Sequence, residues 1–567
     1  MWTRWTVKRF GWIVCAGLTA CATPQPRWTP ETVAPPPAAE GVEKPSPLPE
    51  RVEPVQAPAP EQSGEPIALT RDGALLTAIK NNRSIEVARF GPRIGETYVP
   101  EARAAFDPVL MGAVSTGHDN RRIVEDAALP TLSSSALAQQ APAQRLVSQL
   151  QQLNATVQAE NAGDVSRLEN TFGSMTLQET LPTGTQVYLT GSASETESNL
   201  VSDIDQGALT LGVTQPLLRG AGMPVNLVAL RQAKNRAARS EHAFRAALLN
   251  VVEQVELAYW DLVLAEDVLK IREFGVTLAD EQLRRNQDLF AVGKVIEGDV
   301  MSAQAEKATR TADLTDAQAA IRAQTVALVR LLNPDADTPW ALKFAPADRP
   351  EVVEIPIRPD ASEQLALEYR PELAQSRLDL ANADLDVLRA KNGLLPQLDL
   401  VGSYGRTSRG ALGGDATRFL DDGSYDNYNV GIEIQTPVLN RAEKARHERA
   451  RLSQDQSERY LDDLENALAA DVRRAAIEAE RQWQRIAATQ LAVRSRTEEL
   501  RIAQGRNAAG KTTNLDLLLV QRSLIQAEVD EVTARVNYIQ ALTSLYAAEG
   551  TLLERRGIAL DLGNEKE

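Results

Sequence analysis

One stretch of this sequence carries a pattern that binds phosphate in other proteins. Residues 505–512 match the form G-x-x-x-x-G-K-[ST], in which backbone amides and a lysine hold the phosphates of a nucleotide. That mechanism needs a buried strand before the loop, but residues 497–503 are charged and continue a helical repeat. A similar turn lies 217 residues earlier in the chain. It has Asp288 and Val295 where the pattern needs glycine and threonine. We therefore interpret Gly510 as a residue that ends a helix with positive φ.

Other residues that could catalyse a reaction or bind a metal are few and scattered. The three histidines, His118, His242 and His447, have no spacing typical of metal ligands. Cys15 and Cys21 are the only cysteines, so the remaining chain has neither a disulfide framework nor a cysteine-ligated zinc site. No Ser-His-Asp or Cys-His arrangement is available, and we expect no enzymatic activity, no cofactor and no metal.

Two aspartates occupy equivalent positions in the two halves of the chain. Asp299 and Asp516 each follow a turn glycine, Gly293 or Gly510, by six residues. An acidic side chain in the first turn of a helix interacts favourably with the helix dipole, which is one explanation. The other is functional: rings of carboxylates near the narrow end of a pore would select cations or hold a gate. The sequence leaves both explanations open.

A helical hairpin over residues 224–333, with its turn at Gly293, is the longest element that the sequence predicts. Its first arm has a seam of positions alternately four and three residues apart: Phe244, Leu248, Val251, Val255, Ala258, Leu262, Ala265, Leu269, Arg272, Val276, Ala279, Leu283, Asn286 and Phe290. All but Arg272 and Asn286 are apolar, and a 3.5-residue repeat predicts coiled-coil packing. At 1.5 Å per residue, this arm is roughly 100 Å long, so it belongs to an elongated structure.

The second half of the chain repeats the first. The turn Gly293-Lys294 recurs 217 residues later as Gly510-Lys511. Each half is predicted to contain a short helix, two strands, a long helix, a glycine turn and a medium helix. The first short helix is predicted over residues 69–104. Prolines mark the strand–helix junctions of both halves: Pro108, Pro216, Pro396 and Pro437.

The predicted strands alternate apolar and polar residues, most clearly over residues 398–404 and 428–435. This period is typical of a membrane barrel with a polar lumen, and equally of a half-buried soluble sheet. Because two strands per half cannot form a stable sheet or close a barrel alone, we expect several chains to share one barrel. An additional hairpin over residues 173–190, with its turn at 181–184, either enlarges the barrel or projects from it. Residues 118–170 are predicted to form a long loop.

The N-terminus predicts export and a lipid anchor. Residues 1–20 resemble a secretory signal, and Leu18-Thr19-Ala20-Cys21 resembles a bacterial lipoprotein cleavage box with Cys21 as the lipid attachment site. Ala22 after the cysteine implies sorting to the outer membrane. The next residues, to Pro66, include thirteen prolines and form an extended linker. A net charge of −16 argues against a nucleic-acid partner.

These observations give a predicted domain organisation. It consists of a signal peptide (1–20), a lipid anchor and proline-rich linker (21–66), a first structural repeat (67–333), a connector (334–360), a second repeat (361–553) and a C-terminal tail (554–567).

The chain resembles the TolC-like outer-membrane factor family of efflux and secretion channels, in its lipoprotein form. The resemblance rests on residues 215–220 (Gln-Pro-Leu-Leu-Arg-Gly), residues 395–398 (Leu-Pro-Gln-Leu) and the two Gly-Lys turns. It implies an internally duplicated α+β membrane protein, in which a long antiparallel α-helical coiled-coil barrel is continuous with a trimeric transmembrane β-barrel of twelve strands. It also implies that the protein is a passive exit duct from periplasm to exterior.

The resemblance further implies partners and site residues. The partners are two further copies of the chain, a periplasmic adaptor protein, an inner-membrane pump and outer-membrane lipid. The turns Gly293-Lys294 and Gly510-Lys511 would dock the adaptor, and Asp299 and Asp516 would form the periplasmic aperture. Leu519, Asn507 and Thr512 depart from family residues that close the aperture. The alternative function is a structural coiled-coil envelope lipoprotein without a pore.

Overall fold

The computed structural model describes residues 67–122, 165–198, 204–334, 340, 342–411, 425–509 and 511–558. The strands are β1 (Ile67–Leu69), β2 (Val109–Arg122), β3 (Val165–Thr180), β4 (Gln186–Ser198), β5 (Ile204–Pro216), β6 (Phe344–Pro346), β7 (Gln397–Ala411) and β8 (Tyr425–Gln435). The helices are α1 (Arg71–Asn81), α2 (Arg83–Arg103), α3 (Met223–Asn226), α4 (Val228–Ala291), α5 (Glu297–Leu332), α6 (Pro359–Tyr369), α7 (Pro371–Gly393), α8 (Arg441–Ala508), α9 (Asn514–Glu549) and α10 (Leu552–Arg555). A 3-10 turn, Ala104–Phe106, precedes β2.

The long helices repeat as the sequence predicts. Helix α4 has 64 residues and α8 has 68, while α5 and α9 have 36 each. The single helix predicted over residues 69–104 is wrong in detail, because the chain forms two helices, α1 and α2. Asn82 separates them: its backbone is extended and its side chain accepts hydrogen bonds from the amides of Ser84 and Ile85, as an N-cap does. The second half has the same break at Arg370.

The main hydrophobic core lies where the two repeats meet around the middle of α4. Phe244, Leu248, Val255 and Leu262 of the predicted seam are all buried there. They pack with buried residues of other elements: Leu75, Ile85, Leu328, Leu332, Phe344, Val536, Leu552 and Leu553. A two-stranded parallel sheet of β1 and β6 borders this core. The seam therefore joins both halves of the chain, and does not only close one hairpin.

The other sheet has six antiparallel strands in the order β2-β3-β4-β5-β7-β8. The prediction of two strands per half is wrong for the first half, which supplies four. The additional hairpin, β3–β4, lies within the sheet between β2 and β5. The predicted loop 118–170 is wrong at both ends, because residues 118–122 continue β2 and residues 165–170 belong to β3. The imidazole of His118 lies 3.0 Å from the carboxylate of Glu169 across this ladder.

One face of the six-stranded sheet is apolar and partly or largely exposed. The ladder registers place these side chains on the same face: Leu110, Val114, Met175, Leu177, Val187, Leu189, Leu211, Val213, Leu398, Leu400, Tyr404, Tyr428, Val430, Ile432 and Ile434. In β8 the exposed fractions of Val430 and Ile432 are 72% and 68%. Such a continuous apolar surface needs an apolar environment outside the chain.

Among the described residues, no helix combines the length and apolar character that crossing a membrane requires.

Candidate functional site

The first hairpin tip, residues 290–299, is a tight turn that depends on a glycine. Gly293 has φ of +73°, and its amide donates to the carbonyl of Phe290 at 2.9 Å. The next amide, that of Lys294, donates to Leu289 at 2.8 Å. These two bonds satisfy carbonyls at the end of α4, in the manner of a left-handed helix cap. The turn leaves the Lys294 side chain exposed at the end of the coiled hairpin.

The second hairpin tip, residues 505–516, follows helix α8. Residues 497–503 are helical, which confirms the prediction, so no strand precedes the phosphate-loop pattern. The amide of Lys511 donates to the carbonyl of Arg506 at 2.9 Å, and its side chain is exposed. Gly510 lies outside the described residues. The surroundings of this pattern are those of a helix end and lack the strand that a nucleotide-binding loop needs.

Asp516 closes a capping box at the start of α9. Its amide donates to Oγ1 of Thr513 at 3.1 Å, and its Oδ2 accepts from the amide of Thr513 at 3.2 Å. The same Oδ2 accepts from the hydroxyls of Thr513 and Thr512. These bonds, first of all the one from the Thr513 side chain, lower the pKa of Asp516 below its usual value, so the exposed carboxylate is charged at neutral pH.

Asp299 occupies the same place in α5 but is held differently. It lies in the first turn, and its carbonyl accepts from Nδ2 of Asn286 at 3.1 Å. Asn286 is fully buried and its Oδ1 accepts from Gln282 at 3.0 Å. A buried amide pair thus connects the two arms of the first hairpin directly behind this aspartate. The dipole explanation fits both aspartates, and their role in an aperture stays a prediction.

Asn507 and Thr512 form hydrogen bonds within their own turn. The side-chain amide of Asn507 lies 3.2 Å from Oδ1 of Asn514 and 3.5 Å from the carbonyl of Thr512. Thr512 donates to Asp516. All the contacts described for these two residues lie within the tip, so both side chains stabilise the turn locally.

An ion-pair network connecting the two hairpins is a feature that sequence reasoning missed. Glu306 of α5 is buried and bonds both Arg310 on the same helix, at 2.8 Å, and Arg522 on α9. Asp313 accepts from Arg310 and from Arg272, each at 3.2 Å. The sequence feature that could have indicated these contacts is the pair of polar residues in the otherwise apolar seam of α4. Arg272 belongs to this network, and Asn286 holds Asp299.

The remaining predicted positions lie away from the tips. Pro108, Pro216, Pro396 and Pro437 are found beside or at the ends of β2, β5, β7 and β8, where strands pass into helices. The amide of Leu217 donates to Leu398 at 2.7 Å, which connects the junctions of the two halves. Cys21 lies outside the described residues.

Comparison with known proteins agrees with this architecture. Residues 363–551 match the family described as outer membrane efflux protein. The proteases secretion protein PrtF of Dickeya chrysanthemi is 23% identical over 62% of this chain and 74% of its own length. The outer membrane efflux protein BepC of Brucella suis is 24% identical over 52% of this chain and 63% of its own.

A solved structure extends the likeness to most of the fold. The outer membrane channel CmeC of Campylobacter jejuni has a TM-score of 0.59 and 16% identity, over 90% of this chain and 94% of that protein. The duplicated helical hairpins, the antiparallel sheet and the family match together give one conclusion. Residues 363–551 therefore form an outer membrane efflux protein domain, and the described part of the chain has the fold of a TolC-like outer-membrane channel.

Proposed function

We propose that this protein is the lipid-anchored, trimeric outer-membrane duct of a tripartite efflux or type I secretion system. The observation that carries the proposal is the six-stranded sheet with one exposed apolar face, joined to coiled hairpins of 64 and 68 residues in their long arms. At 1.5 Å per residue these arms reach roughly 100 Å from the sheet. An apolar sheet face suits lipid, and a long helical tube suits passage through the periplasm.

The hairpin tips are the proposed docking points for a periplasmic adaptor protein. Lys294 and Lys511 lie at the helix turns farthest along the chain from the sheet, and both side chains are exposed. An inner-membrane pump would supply the energy, because the proposed duct is passive. The named relatives act in protease secretion and in efflux, so proteins and small compounds are both candidate cargoes.

Planar-bilayer conductance tests the channel against the tether alternative. The purified full-length chain is expected to insert and conduct ions in steps, because three copies of the proposed duct would enclose a polar lumen. A structural coiled-coil lipoprotein would give no conductance steps, and that result would contradict the proposed duct.

Asp299 and Asp516 are the proposed aperture carboxylates. In the same bilayers, Asp299→Asn with Asp516→Asn is expected to lower the preference for cations, since two negative charges per chain are removed near the narrow end. Glu297→Gln is the matched control, because Glu297 is an exposed acid of the same first turn as Asp299. Equal effects of the control and the double variant would leave the aspartates with only their capping role.

The lipid anchor is proposed at Cys21. Cells fed a palmitate analogue should label the wild-type chain, and Cys21→Ser should lose the label. Label that persists in the variant would place the anchor elsewhere.

A further inference from the structure

We propose that the β3–β4 hairpin is part of the membrane wall, and that three copies close a barrel of eighteen strands through β8 of one copy and β2 of the next. This inference rests on the proposed trimeric duct. Each chain supplies six strands in sequence order, where the resemblance implied four. Residues 165–198 therefore line the pore and do not project from the end of the barrel.

The first observation is the pattern of faces across the hairpin. Leu177 of β3 lies opposite Leu110 of β2 on one side and Leu189 of β4 on the other. Leu189 in turn lies opposite Leu211 of β5. The apolar band thus crosses the hairpin without interruption. On the opposite face, Thr176 and Thr190 share a hydrogen bond of 2.9 Å, which is polar chemistry suited to a lumen.

The second observation is how the hairpin turn is fixed at the strand–helix junction. The amide of Gly222 donates to the carbonyl of Thr183 at 3.0 Å, and Thr185 donates to the side chain of Gln215 at 2.5 Å. Gly184 has φ of +89°, and a Cβ there would lie 2.3 Å from the carbonyl oxygen of Gly220. A turn held this closely against the end of β5 keeps β3 and β4 in line with the other strands.

The third observation concerns the two edges of the sheet. Within the described residues, β2 pairs only with β3 and β8 only with β7, so each edge presents unpaired backbone groups. Such edges bind a further strand when one is supplied. Because six strands alternate in direction, β8 of one copy is antiparallel to β2 of the next. The occupant that fits both edges is therefore a second copy of this chain.

The internal repeat fixes the register of that contact. Where the two halves meet within one chain, Thr214 lies opposite Val401. Thr214 is two residues before Pro216, and Val401 is five residues after Pro396. The same offsets from Pro437 and Pro108 place Gln435 opposite Ala113 of the neighbouring copy. This register aligns the apolar faces of β8 and β2.

Engineered disulfides test the edge contact. The register places Gly431 of one copy opposite Gly117 of the next, and there is room for side chains: a Cβ at Gly431 meets nothing within 4 Å and one at Gly117 meets only the Asn170 carbonyl at 3.9 Å. Gly117→Cys with Gly431→Cys is expected to give a covalent trimer on non-reducing gels. Gly431→Cys with Thr116→Cys is the control, because Thr116 points to the opposite face and should not cross-link. Cross-linking only in the control would overturn the register.

Thiol accessibility tests the position of the hairpin itself. Ser192 is on the polar face of β4, and its neighbour Ala193 is on the apolar face. In planar bilayers, a charged, membrane-impermeant thiol reagent should reduce the conductance of Ser192→Cys to well under its starting value and leave that of Ala193→Cys unchanged. No change in either variant, or the same change in both, would place the hairpin outside the wall.

The two inferences fail in different ways. A wild-type chain that never conducts would reject the proposed duct. A chain that conducts normally, with both cysteine variants insensitive to the reagent, would reject only the eighteen-strand wall.

Discussion

Glu256 is a carboxylate with no exposed surface, and it connects three parts of the chain. It lies on α4, accepts two hydrogen bonds from Arg556, at 2.9 and 2.5 Å, and a third from Thr543 of α9 at 3.1 Å. Burying one charge alone is costly, so this site is stable only while the guanidinium of Arg556 is present.

We expect Glu256→Ala to lower the free energy of unfolding by about 3 kcal/mol, because Arg556 is left largely buried without its partner. Denaturant titration of the detergent-solubilised protein measures this. Glu465→Ala is the control: its ion pair with Arg377 is exposed and contributes under about 1 kcal/mol. Equal losses in the two variants would show that burial does not decide the effect.

Glu253 gives a pH-dependent prediction. Burial raises the pKa of Glu253, while a hydrogen bond from Ser544 and the charge of Arg370 act against that rise. A raised carboxyl pKa means that the folded state binds the proton more tightly than the unfolded state. Stability is therefore lost as pH rises through the folded pKa and is fully present below the ordinary value of 4.5.

Glu253→Gln should accordingly be more stable than the wild type at neutral pH, and this advantage should disappear as the pH falls towards 4.5. Thermal melts of both proteins between pH 4 and pH 8 are the measurement. An advantage that is the same at every pH would indicate a packing effect in place of titration.

At the scale of single elements, the two glycines of the hairpin tips have opposite roles. Gly293 adopts a φ that L side chains disfavour, so Gly293→Ala should destabilise the turn by about 1 kcal/mol or more. Gly505 is inside helix α8, and a Cβ at this position would have nothing within 4 Å. Gly505→Ala should therefore stabilise that helix by about 0.5–1 kcal/mol.

Hydrogen exchange at the two tips measures the destabilisation by Gly293→Ala and the stabilisation by Gly505→Ala. A transport assay then measures whether either change in stability affects function. Gly505→Ala also removes the phosphate-loop pattern, and we expect transport to be unchanged. Transport that fails in Gly505→Ala although the helix is stabilised would revive the nucleotide-binding interpretation.

The sequence predicted the helices better than the strands, for a physical reason. The seam from Phe244 to Phe290 repeats over many turns, and such a long signal survives the polar exceptions at Arg272 and Asn286. The outer part of β3, including Glu169, has no apolar face, so period-two alternation ends there although the ladder continues to Arg122. Its partners come from a strand more than forty residues away, and local patterns cannot show them.

The first tip was located correctly from Gly293, but the contacts around the two tips were not predictable. A capping box at Thr513 and Asp516 could be recognised from the sequence, because the two residues are three apart. The bond between Glu306 and Arg522 could not, since it depends on how two hairpins from different halves lie against each other.

At the scale of the whole molecule, that network couples the two halves of the chain. We expect a double-mutant cycle of Glu306→Gln and Arg522→Gln to give a coupling free energy of about 1 kcal/mol, because each variant removes the same bond. The pair Glu478 and Arg481, which lies within α8 alone, is the control for stability. Strictly additive losses at Glu306 and Arg522 would show that the two hairpins are energetically independent.

The opposite directions of the two sheet edges, β2 and β8, have a consequence for how such a duct can change size. Adding a single strand would reverse one border and prevent ring closure, whereas adding a strand pair preserves it. Diameter therefore increases in whole increments of one pair per protomer. The length of the helical part depends separately on how many seven-residue repeats the helices contain. The diameter of the barrel and the length of the helical part can therefore change independently.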